Sequence, residues 1–209
     1  MAVDRAGYAK TMPLAEQGFA ALRNVAAPRT AYCYFPVHVT ESLVEIEGVV
    51  RIESYDLARL FVYCSSCVVM AVTLGPEVDR LIQLLGRGDV SAALACDACA
   101  SVWADSLCDD FERKLEAELA PGEYLTRRFS PGYGDVPISV TADLLRAVDA
   151  QRRIGVFLSQ RGMMIPVKSV SALIGISDRP QRRARNCTDC ALLHCLFRKN
   201  GGVCHDTDV

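Results

Sequence analysis

From Val90 to Leu119 the chain carries apolar residues at close to every fourth position, among them Leu94, Ala98, Val102, Trp103, Leu107, Phe111, Leu115 and Leu119. Gly86-Arg87-Gly88 breaks the chain before this stretch and Pro121-Gly122 stops it afterwards, as helix boundaries require. The periodicity is that of one long amphipathic helix with an apolar stripe turned to a core. A chain of 209 residues built on such a helix is one ordinary domain, with room for a sizeable core and a small appendage.

The flanking segments alternate between helical and extended patterns. Val3 to Ala26 reads as a helix with Tyr8, Met12, Phe19 and Leu22 on its apolar face, ended by Pro28. Ala31 to Thr40 is aromatic and β-branched, hence extended, and Val44 to Ile52 folds around Gly48 as a hairpin. Ser54 is placed to cap a helix from Tyr55 to Tyr63. Val68 to Thr73 is a continuous apolar run, as in a strand buried on both faces, and Gly75-Pro76 opens a helix through Leu85. Ser139 or Thr141 caps a further helix through Val148. Ile154 to Leu158 and Val167 to Ile176 alternate as strands. After Ser177 the character changes: Arg179, Arg182, Arg183 and Arg185 crowd together and four cysteines follow. This divides the chain into residues 1–177 and an Arg/Cys-rich tail, 178–209.

With 51% hydrophobic and 23% charged residues, the composition is globular. A net charge of −2 provides no field to recruit nucleic acid or an anionic membrane. The greasiest run, Leu60 to Leu74, is interrupted by Ser65-Ser66 and is too short to span a bilayer. No signal peptide is readable at the start. Ten cysteines without an export signal point to reduced thiols in the cytoplasm, some of them metal ligands. Cys64-x-x-Cys67 and Cys96-x-x-Cys99 have the spacing of a second metal site, but the reading favoured here is core packing, since they fall in a buried run and a core helix, where a reduced cysteine behaves as a small hydrophobe. Met163-Met164 reads as core packing.

Arg127-Arg128-Phe129-Ser130-Pro131-Gly132-Tyr133-Gly134-Asp135-Val136-Pro137 holds two cations, two glycines, two prolines and two aromatics in eleven residues. Proline fixes φ and glycine admits positive φ, so the segment is a stiff, bent loop with exposed peptide groups. Arg128 at its entrance has a planar fork suited to a carboxylate. Spacing alone also accommodates a tight surface turn with a solvated arginine.

Arg128-x-x-x-Gly132-Tyr133 followed by Pro137 resembles the S-adenosylmethionine-binding loop in the activation domain of cobalamin-dependent methionine synthase. Ala71-Val72-Thr73-Leu74-Gly75-Pro76-Glu77-Val78-Asp79 and Met163-Met164-Ile165-Pro166-Val167-Lys168-Ser169-Val170-Ser171 also resemble that domain. The resemblance implies an α+β fold, a twisted and largely antiparallel sheet flanked by helices. It implies that Arg128 holds the ligand carboxylate, that the Gly132-Tyr133 backbone meets the adenine, and that Ser130 and Pro131 belong to the same binding loop. It also implies that Asp105, on the long helix, takes the amino group. The ring of Tyr133 either faces the sulfonium or packs. The family's tyrosine after Ser171 is missing, since the chain reads Ala172-Leu173-Ile174-Gly175 there.

Only His38, His194 and His205 occur, and no Asp-x-His-x-x-Gly corrinoid motif is present. Cobalamin is therefore expected only on a partner, a corrinoid-binding methyltransferase resembling methionine synthase and acting in trans. In the tail, Cys187, Cys190, Cys195 and Cys204 form a four-thiolate set suited to an iron–sulfur cluster or zinc. Metal would supply the folding energy of so short a segment. A cluster would relay electrons from a low-potential donor; zinc would be structural. The leading expectation is an S-adenosylmethionine-binding reactivation factor for cob(II)alamin. The alternatives are a non-catalytic metal-binding sensor that keeps the fold, and a methyltransferase for another acceptor. Radical chemistry is disfavoured because no Cys-x-x-x-Cys-x-x-Cys triad occurs.

Overall fold

The computed structural model describes residues 5–181. In chain order the elements are α1 (Arg5–Val25), β1 (Arg29–Val39), β2 (Leu43–Ile46), β3 (Val50–Glu53), α2 (Tyr55–Phe61), β4 (Cys64–Thr73), α3 (Pro76–Leu85) and α4 (Val90–Glu118). There follow β5 (Tyr124–Leu125), α5 (Val140–Ala147), α6 (Ala150–Ile154), β6 (Phe157–Leu158), β7 (Met164–Ile165) and β8 (Ser169–Ser177). Six strands form an antiparallel sheet in the order β3-β2-β1-β4-β8-β5, and β6 and β7 form a separate ribbon. The fold is α+β, as expected.

The chain divides into two compact units. Among the described residues, one takes 5–33, Val69–Glu118 and Thr141–Ala172; the other takes Tyr34–Val68, Leu119–Val140 and 173–181.

In the first unit α1, α3 and α4 close on Leu22, Leu74, Val78, Cys96, Cys99, Ala100 and Ala104. Gly18 sets how near α1 comes to α4, because a Cβ there would lie 3.2 Å from the Cys96 Cα and 3.5 Å from the Cys99 Sγ. Only small side chains fit such an approach. The buried face of α4 is accordingly Ala93, Cys96, Cys99, Ala100, Ala104 and Cys108, widening to Phe111 and Leu115. This corrects the expected stripe: Leu94 is 67% exposed and Val102 62% exposed, and Ala98 is also exposed. Met12 and Met163 likewise face outward. Both Cys-x-x-Cys pairs are buried, as a core reading requires. Ile154, expected in a strand, ends α6 at Gly155, whose φ is +74°.

In the second unit β2 and β3 form the expected hairpin, with Val44 opposite Ile52 and Gly48 at φ +70° in its turn. The outer part of β1 pairs with β2 through Val37–Ile46 and Val39–Val44. Ser54 caps α2, accepting from the Leu57 N–H at 2.9 Å. Among the described residues no helix is long and apolar enough to cross a membrane. Cys187, Cys190, Cys195 and Cys204 lie outside the described residues.

Candidate functional site

The loop from Thr126 to Pro137 hangs from β8 inside the second unit. Its root is a pair of rungs. The Thr126 N–H donates to the Gly175 carbonyl at 2.9 Å, and the Gly175 N–H returns a bond to the Thr126 Oγ1 at 2.9 Å. Three residues on, Phe129 and Leu173 form an antiparallel bridge. Phe129, Leu173 and Thr126 are all buried, so the inner edge of the loop belongs to the core.

Beyond Phe129 the chain turns outward. The Tyr133 N–H reaches the Ser130 carbonyl at 3.2 Å, with Pro131 and Gly132 between them and Gly132 at φ +88°. Proline followed by a left-handed glycine is the sequence that a type II turn demands. A second turn follows, in which the Val136 N–H meets the Tyr133 carbonyl at 3.1 Å while the Gly132 N–H bonds the Val136 carbonyl at 2.9 Å. Pro131 and Val136 are buried beneath this double turn. Gly132 and Tyr133 lie at its crest, Tyr133 with 70% of its surface exposed. Arg128 and Ser130 are half-buried at its base.

The far side of the double turn is held by Asp135. Its carboxylate accepts from the Ser54 hydroxyl, from the Tyr55 N–H at 2.7 Å and from the Asp56 N–H at 3.5 Å. Desolvation pushes the Asp135 carboxyl up. The bonds from Ser54, Tyr55, Asp56 and its own N–H outweigh that and leave it below the ordinary carboxylate value. Gly134, at φ +54°, passes so close to α2 that a Cβ would lie 2.5 Å from the Asp56 Oδ2 and 3.2 Å from the Phe129 Cζ.

The structure thus gathers Arg128, Ser130, Pro131, Gly132 and Tyr133 into one folded loop. Asp105 stands on the exposed side of α4, in the first unit. Among the described residues no group of three or more His, Cys, Asp or Glu side chains is arranged to hold a metal. Sequence reasoning named Ser54 only as a helix cap and Gly134 and Asp135 only as members of the loop, did not name Thr126, and gave none of the four a part in shaping the loop. Gly-Asp after Tyr133 is an ordinary turn signal, and nothing local connects it to a serine 81 residues earlier.

Residues 95–183 match the family described as vitamin B12 dependent methionine synthase, activation domain. Among solved structures, the MetH reactivation domain bound to AdoHcy superposes with a TM-score of 0.65 at 15% identity. The superposition covers 85% of this chain and 67% of that one. At that identity the likeness is one of fold. Curated protein sequences gave no match. The chain is similar to the activation domain of vitamin B12 dependent methionine synthase, in sequence over residues 95–183 and in fold over most of its length.

Proposed function

We propose that this chain binds S-adenosylmethionine along the Arg128–Tyr133 loop and supports reductive methylation of cob(II)alamin carried by a partner methyltransferase. The observation that carries the reading is the outward Pro131-Gly132 turn, with a guanidinium at its base and an exposed aromatic ring at its crest. It sits on a fold shared with a reactivation domain bound to AdoHcy.

The donor set fits a ligand of that kind. Arg128 offers a planar fork for a carboxylate. Gly132 has no Cβ and takes φ +88°, which turns the crest and leaves room for the Ile138 side chain, whose Cδ1 would lie 3.1 Å from a Cβ there. Tyr133 offers a ring face beside it, and Ser130 and Pro131 complete the wall. The sulfonium supplies a methyl group already activated for transfer, so the loop has to bind and orient rather than move a proton. On the partner, cob(II)alamin gains one electron from a low-potential donor and the methyl group as a cation equivalent. Methylcobalamin and S-adenosylhomocysteine are the products, and charge and atoms balance. In the same reading, residues 178–209 are a separate tail. Cys187, Cys190, Cys195 and Cys204 would hold an iron–sulfur cluster, which would supply electron transfer, or a structural zinc.

Equilibrium binding of S-adenosylmethionine to wild type and to Arg128→Ala tests the site. Loss of a charge-assisted pair weakens binding by roughly ten- to a hundredfold. Wild type with no measurable affinity defeats the reading. Reactivation of a cob(II)alamin-loaded methyltransferase, with and without this chain, tests the role. Anaerobic iron, sulfide and zinc analysis tests the tail; a colourless, zinc-loaded protein removes the electron relay.

A further inference from the structure

We infer that Asp135 is a positioning residue for the ligand loop: its carboxylate clamps the crest of the loop to the start of α2 and so fixes the shape that Arg128 to Tyr133 present. The inference rests on the reading of this loop as the S-adenosylmethionine site.

The loop is suspended at two points. One is the pair of rungs on β8 at Thr126 and Phe129. The other is Asp135, which takes the Ser54 hydroxyl on Oδ1 and the Tyr55 and Asp56 N–H groups on Oδ2. Between them runs the stretch that carries Gly132 and Tyr133. Asp135 lies inside the ring closed by the Gly132–Val136 and Val136–Tyr133 hydrogen bonds, so a shift of its carboxylate is transmitted to both crest residues.

The clamp serves the loop more than the helix. Ser54 already caps α2 through the Leu57 N–H, and the bonds from Tyr55 and Asp56 lie at the exposed surface. Water would satisfy those two amides if the carboxylate were absent. The loop has no such substitute. Its close approach depends on Gly134, where a Cβ would strike Asp56 and Phe129. Asp135 and Gly134 therefore act together: the glycine admits the contact and the carboxylate fastens it.

The test uses the full chain as wild type, Asp135→Ala, Asp135→Asn and Ser54→Ala. AdoHcy affinity is measured at 25 °C, after thermal unfolding shows that each variant is fully folded there. Amide hydrogen exchange is followed without ligand at Tyr55, Asp56, Gly132 and Val136. Asp135→Ala is expected to weaken AdoHcy by about tenfold or more and to speed exchange at Gly132 and Val136. Asp135→Asn keeps one acceptor oxygen and falls between it and wild type. Loss of a helix cap alone would lower thermal stability while leaving affinity and Gly132 exchange in place. Wild type that binds AdoHcy while Asp135→Ala binds equally well overturns the positioning role alone. Wild type that fails to bind overturns the ligand reading, and the positioning role with it.

Discussion

Phe129 and Leu173 exchange both of their backbone hydrogen bonds, 2.8 Å from the Phe129 N–H to the Leu173 carbonyl and 2.9 Å in the reverse direction. This rung fixes where the candidate loop leaves the sheet, and the neighbouring rung depends on one hydroxyl. The Thr126 Oγ1 accepts from the Gly175 N–H and donates to the Arg127 carbonyl at 3.0 Å, on a side chain with no solvent exposure. Thr126→Val keeps the shape and strands the buried Gly175 N–H. A buried unsatisfied donor costs about 1–3 kcal/mol. The urea midpoint should fall by that amount with an unchanged slope, while Thr126→Ser stays much nearer to wild type. Thr126→Val within about 0.5 kcal/mol of wild type would show that water or a shift of the loop replaces the hydroxyl.

Gly175 is where β8 leaves room for its neighbours. A Cβ at that position would lie 2.5 Å from the Cys64 Sγ, 3.0 Å from the Thr126 Cγ2 and 3.1 Å from the Phe61 Cδ1. Its φ lies outside the left-handed region, so the constraint is one of space. Gly175→Ala should destabilise the protein by about 1–3 kcal/mol through overpacking. Cys64→Ala removes the nearest atom, so the double variant should regain part of that loss in a double-mutant cycle. Strict additivity of the two substitutions would show that Cys64 is not the obstruction.

What the sequence shows plainly is what is decided locally. Gly75-Pro76 at the start of α3, Ser54 at the start of α2 and Gly48 in the β2–β3 turn each set their element within a few residues. The extent of α4 was equally plain, but its orientation was not. Leucine and valine mark a core face only where there is depth to fill, and Gly18 brings α1 too close to α4 for anything larger than cysteine or alanine. Leu94 and Val102 therefore lost the core to Cys96 and Cys99. The loop followed the same division. Pro131-Gly132 announced its turn, whereas its attachment to Ser54 and Gly175 is a tertiary matter with no local signal.

The thiols of Cys64 and Cys67 are pushed up to about 12, each chiefly by burial; Asp178 adds to the first and Cys64 to the second. At pH 8 the thiolate fraction of each is then on the order of one in ten thousand, and the thiolate is the nucleophile. Cys96, Cys99 and Cys108 are buried as well, while Cys33 is half-exposed. Peptide mapping after iodoacetamide treatment of the native protein should show Cys33 as the reactive position among the described cysteines. The other five should become labelled only in denaturant. Rapid native labelling of Cys64 or Cys67 would mean that the β4 face opens far more readily than its burial implies.

Asp135 also makes the loop respond to acid in a defined direction. Its folded value lies below the ordinary 3.8, because the hydrogen bonds from Ser54, Tyr55 and Asp56 outweigh the upward push of desolvation. A depressed carboxyl contributes its stability fully above the unfolded value and loses it as pH falls through the folded one. The clamp should thus be intact at neutral pH and release only below about pH 3.8. The other carboxylate at this contact is that of Asp56, packed beside Gly134, so its resonance has to be followed alongside. In a carbon-detected titration the Asp135 carboxyl should give a midpoint below 3.8, and the Tyr55 and Asp56 amide shifts should follow the same curve. Ser54→Ala removes the strongest lowering contact and should move that midpoint upward. A midpoint at or above 3.8 in wild type, or amides that ignore it, would show that the carboxylate does not hold the loop in solution.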